Sequence, residues 1–470
     1  MYNAHAKIAE EFIDEKEILD TMEYARMNSG NRELIENLLN RAADCKGLSH
    51  REAAVLLECK LPEMNERIYK LARRIKEQLY GNRMVMFAPL YLSNYCVNSC
   101  LYCPYHTANK HMPRKKLTQE EIGNEVIALQ DMGHKRIAIE SGEHPTSDID
   151  YILESIRTIY SIKNKNGSIR RINVNIAATT VENYRRLKGA GIGTYILFQE
   201  TYHKQNYRIL HPRGPKSNYA YHTEAMDRAM EGGVDDVGLG VLFGLSDYLY
   251  DFIGLLMHAE HLEAAWGVGP HTISVPRICP ADDIDVNNFG NAVPDEVFQK
   301  LVAVIRISVP YTGMIISTRE SQSSREKALE LGISQISGGS NTSVGGYMPE
   351  SATEDTAQFS VSDHRSLDEV VGWLLDLGYI PSFCTACYGL GRTGDRFMTL
   401  VKNGQIANCC GPNALLTLKE YLLDYASPEV KSKGEQVIRA ELSNIPSEKV
   451  CLKTMEYLDN ISKGERDFKF

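Results

Sequence analysis

Eight short β-branched or apolar runs, at 84–91, 136–140, 172–177, 195–200, 236–243, 272–277, 314–318 and 334–338, alternate with amphipathic stretches along the middle of the chain. The intervening stretches, 119–132, 149–163, 181–188, 219–230, 247–266, 294–307 and 321–331, carry apolar residues at helical spacing. A parallel strand pair needs a crossover about as long as a helix, so this alternation predicts a parallel sheet covered by helices. Eight is the number of strands that closes such a sheet. The expected fold is α/β, a (β/α)8 TIM-type barrel, with an open doubly wound sheet as the alternative.

The 470 residues exceed what one barrel uses. Residues 1–80 read as a helical extension, with apolar periodicity at 33–45, 49–59 and 62–79 and a capping box from Ser49 to Glu52. The barrel is expected over 81–345. A segment rich in Gly, Ser, Asn and Thr at 339–354 reads as the loop leaving it, and 346–470 reads as a mainly helical C-terminal domain. With 52 Lys and Arg against 61 Asp and Glu, the net charge of −9 argues against nucleic acid or a membrane surface as a partner. The most apolar run, 84–92, falls far short of the roughly 20 residues that span a bilayer. The acidic N-terminus has no apolar signal core, so the expected location is cytoplasmic. Disulfides are rare in that compartment, and the eleven cysteines are read first for metal or redox chemistry.

Cys96, Cys100 and Cys103 follow the first strand in SNYCVNSCLYCPYH. The C-x3-C-x2-C spacing gives three thiolates, which leave one iron of a 4Fe–4S cube open to a small-molecule ligand. The position suits catalysis, because barrel active sites gather at the C-terminal ends of strands. A zinc site completed by His106 is the bland alternative. Cys384, Cys387 and Cys410 repeat the three-thiolate theme as C-x2-C-x22-C in the tail, with Cys409 adjacent to the last ligand. Here the alternative is a structural zinc ribbon that uses both Cys409 and Cys410.

With Tyr102 before the third cysteine, the first motif resembles that of the radical S-adenosylmethionine (SAM) superfamily. The resemblance implies that the open iron binds SAM and that electron transfer splits it to methionine and a 5′-deoxyadenosyl radical. The family's Gly-Gly-Glu marker is matched by Glu140, Ser141, Gly142 and Glu143, with Ser141 departing from the pattern and Glu143 placed to contact the SAM amino group. Both cysteine motifs together, with stretches such as RRINVNIAATTVENY and CTACYGLGRTGDRFM, resemble the radical SAM tyrosine lyases of FeFe-hydrogenase maturation, and beyond them 2-iminoacetate synthase.

That resemblance implies cleavage of the Cα–Cβ bond of L-tyrosine to p-cresol and dehydroglycine. Dehydroglycine would then give CO and cyanide at an auxiliary 4Fe–4S cluster carrying an extra iron and L-cysteine. The implied product is an Fe(CO)2(CN)–cysteine precursor for the hydrogenase active site. The implied partners are an electron donor such as ferredoxin or flavodoxin and other hydrogenase maturation proteins. A 2-iminoacetate synthase-like lyase with a structural zinc tail remains the alternative. An extra iron needs imidazole or water as well as sulfur. His258 and His261, three apart on a helix, are the expected donors, and the resemblance favours His261.

Charged residues at strand ends are natural anchors for substrate and SAM. Arg319 after strand seven suits a bidentate carboxylate clamp. Arg277 after strand six, and Gln199 and Glu200 at the end of strand four, are further catalytic candidates, with salt bridging at the barrel rim as the alternative. Asn173 and Asn175 alternate on strand three and share one face, which makes Asn175 a candidate for the cofactor side.

Overall fold

The computed structural model describes residues 1–348, 356–402 and 404–470; residues 349–354 of the expected exit loop lie outside these. Its centre is a ring of parallel strands, β1 (Arg83–Ser93), β2 (Arg136–Ser141), β3 (Arg171–Asn175), β4 (Tyr195–Glu200), β5 (Val237–Val241), β6 (Thr272–Ser274), β7 (Gly313–Ile316) and β8 (Gln335–Ser337). They neighbour one another in chain order, and β8 returns to β1 with Gln335 opposite Val85. This is the closed (β/α)8 barrel, with no open sheet edge between first and last strand. β6 is shorter than expected because Pro276 has no N–H to give a ladder.

A ninth strand was not legible in the sequence. β9 (Ile380–Ser382) lies parallel to β1, with Arg83–Val85 opposite Ile380–Ser382. β2 joins β1 only from Ala88 onward. Val85 already pairs with Gln335 of β8, so β9 fills the edge of β1 below β2. A piece of the C-terminal tail is thereby built into the N-terminal end of the barrel.

The N-terminal extension is helical as expected, at Glu15–Met27, Arg32–Ala42, His50–Leu57 and Pro62–Tyr80. Ser49 and Glu52 close both bonds of the capping box. Pro62–Tyr80 packs on Asp295–Ser308 of the outer helical ring. Beyond β9 the main helices are Cys410–Asp424, Pro428–Glu441 and Glu448–Ser462. Among the described residues no helix is long and apolar enough to cross a membrane.

One buried cation holds the turns around β7. Arg306 is fully buried and donates to the Gly332 carbonyl at 3.1 and 2.7 Å, to Pro310 O at 2.9 Å and to Thr312 O at 2.8 Å. Removing the guanidinium strands three buried carbonyls. Arg306→Met is therefore expected to cost about 2–5 kcal/mol, read as a lowered anaerobic melting temperature.

Candidate functional site

At the C-terminal mouth, the loop after β1 is pinned so that its three thiols face one cavity. Arg114 donates to four loop carbonyls, those of Asn94, Tyr105, His106 and Asn109, at 2.8–3.1 Å. Ser99 N and Leu101 N bond to Arg213 O and Leu210 O at 3.1 and 3.0 Å. Gly142 lies so close that a Cβ would strike the Tyr95 carbonyl. Ser141, in the position before it, turns its hydroxyl to the Gly142 carbonyl at 3.1 Å. Burial raises the pKa of the Cys100 thiol to about 12 and lifts that of Cys103 as well. Without a metal both stay protonated, and metal binding must release their protons. His106 is committed elsewhere, with Nε2 3.2 Å from Asp283.

The cavity, about 1010 Å³ counted to its open mouth, is lined by Cys96, Cys100, Cys103 and Tyr102, by Glu140, Ser141, Gly142 and Glu143, and by Asn175, Glu200 and Arg319. Asn98 Nδ2 holds one oxygen of Glu143 at 2.7 Å. Burial raises Glu140 well above the usual carboxylate range, although Asn175 and Arg319 beside it pull the other way. Arg319 has no carboxylate partner among the described residues. Its guanidinium lies 3.8 Å over the Phe359 ring, Nη1 is 3.3 Å from Cys279 Sγ, and its buried Nε is unpaired. Such an arginine is available to a ligand carboxylate.

Two of the expected catalytic residues do not reach the cavity. Arg277 is consumed at the rim by Glu320 and Asp295, at 3.0 and 2.8 Å. Gln199 faces away from the lumen, by strand alternation, and its amide donates to Thr223 Oγ1 at 2.9 Å. Glu200 does face in, at a register shift in β4 and with φ of 69°. It accepts from Lys216 Nζ at 2.7 Å. Burial opposes the Lys216 charge, but Glu200 and the nearby thiols outweigh it and raise its pKa. Lys216 carried no sequence signal, because it lies in a loop after β4 and not at a strand end.

The tail cysteines sit at the opposite mouth. Cys384 follows β9 directly, and its carbonyl accepts from Arg136 at the start of β2 at 2.9 Å. The following segment is stapled beneath β5. Tyr388 O–H donates to Asp236, Gly394 N donates to Asp236 Oδ1 at 2.9 Å, and the Arg171 guanidinium lies 3.5 Å over the Tyr388 ring. Cys384, Cys387 and Cys410 line a cavity of about 680 Å³ with Arg83, Arg136 and Arg171. Cys409 is not among the lining residues and turns toward Gln405 O and Ile406 O. Hydrogen bonds from the Cys387 and Cys409 thiols, with Arg83 nearby, hold the Cys410 thiol well below its usual range. Among the described residues no group of three His, Cys, Asp or Glu side chains is drawn together as for a single bound ion, at either thiol set.

Neither His258 nor His261 approaches this cavity. Both lie on Tyr248–Trp266, on the outside of the barrel. His261 bonds to Ala4 O at 2.8 Å and Asp227 at 2.9 Å and stacks on Phe12, while His258 bonds to the Tyr202 hydroxyl at 3.0 Å. They face the N-terminal segment, and their expected role as iron ligands is corrected by this placement. The histidine at the lower cavity is His271, just before β6. Burial lowers its pKa to about 4, and its Nδ1 faces Asp236 Oδ1 at 3.4 Å without hydrogen-bond geometry. A neutral imidazole with a free nitrogen is a metal donor. The sequence hid it, because a residue preceding a strand becomes a candidate only once the tail is known to dock there.

A third cavity, about 810 Å³, fills the lumen between these two. It shares Glu140, Asn175 and Arg319 with the upper one.

Known proteins resemble the chain along its whole length. The Radical SAM superfamily matches residues 90–253, and the Biotin and Thiamin Synthesis associated domain matches 274–380. The 2-iminoacetate synthase of Salmonella typhimurium is 30% identical over 363 residues, 75% of this chain and 92% of the relative. A crystal structure of HydG, a maturase of the [FeFe]-hydrogenase, superposes with a TM-score of 0.94 at 54% identity, covering 98% of this chain and 100% of the other. HydG from Carboxydothermus hydrogenoformans gives 0.83 at 40% identity, covering 96% and 99%.

Iron analysis after anaerobic reconstitution checks the two thiol sets. Cys384→Ala is expected to lose about half of the roughly eight irons two cubes require, and Cys409→Ala to lose none.

Proposed function

This chain belongs to the radical SAM superfamily, among the tyrosine lyases that include HydG and 2-iminoacetate synthase, and on that footing we propose a two-stage reaction. In the first stage the Cα–Cβ bond of L-tyrosine is cleaved to p-cresol and dehydroglycine at the upper cavity. In the second, dehydroglycine yields CO and cyanide at the lower one. These load an extra iron held with free L-cysteine, the cargo that becomes an Fe(CO)2(CN)–cysteine unit for FeFe-hydrogenase assembly.

The observation that carries this reading is the pairing of two three-thiol sets at opposite mouths of one lumen. The donors fit the groups they would hold: three thiols and Glu143 above, three thiols and the neutral His271 imidazole below. When bound, a 4Fe–4S cluster on Cys96, Cys100 and Cys103 supplies the electron that splits SAM, and one on Cys384, Cys387 and Cys410 supplies the anchor for the cargo iron.

The remaining work falls to the chain's own side chains. Glu143, steadied by Asn98, accepts from the SAM amino group. Lys216 supplies a cation for the SAM carboxylate, and Asn175 an amide on the same side. Arg319 clamps the tyrosine carboxylate through a fork that no protein carboxylate occupies. Phe359 backs the Arg319 guanidinium, and Tyr105 lines the upper cavity, its O–H donating to Thr356 O at 3.3 Å. Arg136 and Arg171 below favour an arriving carboxylate. The electron would come from a ferredoxin or flavodoxin, and the product would pass to other maturation proteins.

Anaerobic turnover with carbon-13 tyrosine tests both stages. The unmodified chain is expected to release p-cresol with labelled CO and cyanide, whereas Cys384→Ser keeps p-cresol and loses both labelled products. Arg319→Met is expected to raise KM for tyrosine at least about tenfold, the loss of a charge-assisted bidentate pair, with SAM affinity unchanged by equilibrium binding. Absence of p-cresol from the unmodified chain would reject the reading.

A further inference from the structure

The middle and lower cavities have one lining residue in common, Gln335, the first residue of β8. It stands in the ring of the barrel itself, opposite Val85 on one side and Ile315 on the other. Its long side chain fits because the neighbouring strand offers glycine: a Cβ on Gly313 would come within 2.6 Å of Gln335 Nε2. The residue is only 7% exposed, and its amide makes no hydrogen bond to another described residue. Its neighbours in the lumen are differently placed. Asn173 Oδ1 is already held by Arg171 Nε at 2.9 Å and Thr194 N at 3.1 Å. Its amide atoms are not among the fully buried unpartnered ones, so they open on the two cavities it lines, and an amide free of protein partners there is positioned for what moves between them.

We propose that Gln335 is the selectivity residue of the passage between the two cavities. Its N–H2 donates to the carboxylate of a small planar imino acid, and its carbonyl accepts from the imine N–H. A phenol can meet the amide only through its single hydroxyl and carries no carboxylate for the guanidinium groups below to attract. The imino acid is thus drawn toward Arg171 and the lower thiols, while p-cresol leaves by the upper mouth. This inference rests on the two-stage reading above. It adds the residue that decides where the first-stage product goes.

The test is product partitioning in Gln335→Met, which keeps the volume and removes both hydrogen-bonding atoms, and in Gln335→Glu, which keeps the shape and repels a carboxylate. Imino acid that escapes adds water across its C=N bond and releases ammonia and glyoxylate, so three products are read from labelled tyrosine: p-cresol, cyanide and glyoxylate. Both variants are expected to make p-cresol within about twofold of the unmodified chain, and cyanide per p-cresol is expected to fall at least about threefold, more in the glutamate variant, with glyoxylate making up the difference. A smaller fall in either variant overturns the proposal. So does a loss of p-cresol in step with cyanide, which marks a structural role. An unmodified chain that makes p-cresol but no cyanide overturns the two-stage reading and Gln335's part with it, whereas normal cyanide in the unmodified chain with unchanged partitioning in the variants overturns Gln335's part alone.

Discussion

The architecture depends on a parallel pairing only three residues long. Because β2 leaves the first residues of β1 unpaired on one side, β9 can dock there, with Ile380–Ser382 opposite Arg83–Val85. A barrel normally keeps its chemistry at the C-terminal face, and its N-terminal face serves stability. This short strand changes that division. It brings Cys384 to the bottom of the lumen, and the staple of Tyr388 and Gly394 to Asp236 fixes the segment that carries Cys387. One barrel then has a thiol set at each mouth, with a further cavity in the lumen that shares lining residues with both.

Charge explains why the lower mouth is built as it is. Arg83, Arg136 and Arg171 lie at a buried cavity, and burial together with Arg171 lowers the pKa of Arg136 to about 9. Buried guanidinium groups without counter-charge are costly. Part of that counter-charge is already present, in Asp236 beside Tyr388 and in the Cys410 thiol that its neighbours hold well below its usual range. The upper mouth balances differently: Lys216 and Glu200 pair with each other, and the Cys100 and Cys103 thiols are neutral by burial until metal displaces their protons.

Much of this could be read from the chain. Eight strands were visible because a buried parallel strand is a continuous apolar run, and the cysteine spacings were visible because ligands of one cluster sit close in sequence. β9 was not, since the fragment Ile380–Ser382 includes a proline and is too short to show periodicity. Arg277 and Gln199 looked functional because the end of a strand is legible while the direction of a side chain is not. His258 and His261 were plausible donors by residue type alone; their partners, Ala4, Asp227 and Tyr202, come from distant parts of the chain. His271, Lys216 and Gln335 were missed for the same reason. Each gains meaning only from residues that folding brings beside it.

The central claim is that an intermediate made at the upper mouth reaches the lower one inside the barrel, without passing through solvent. Isotope dilution measures this directly. Carbon-13 tyrosine would be turned over with a large excess of unlabelled glyoxylate and ammonium, which condense in solution to the same imino acid. The account predicts cyanide that keeps the full enrichment of the tyrosine. Cyanide diluted to the enrichment of the solution pool would contradict it.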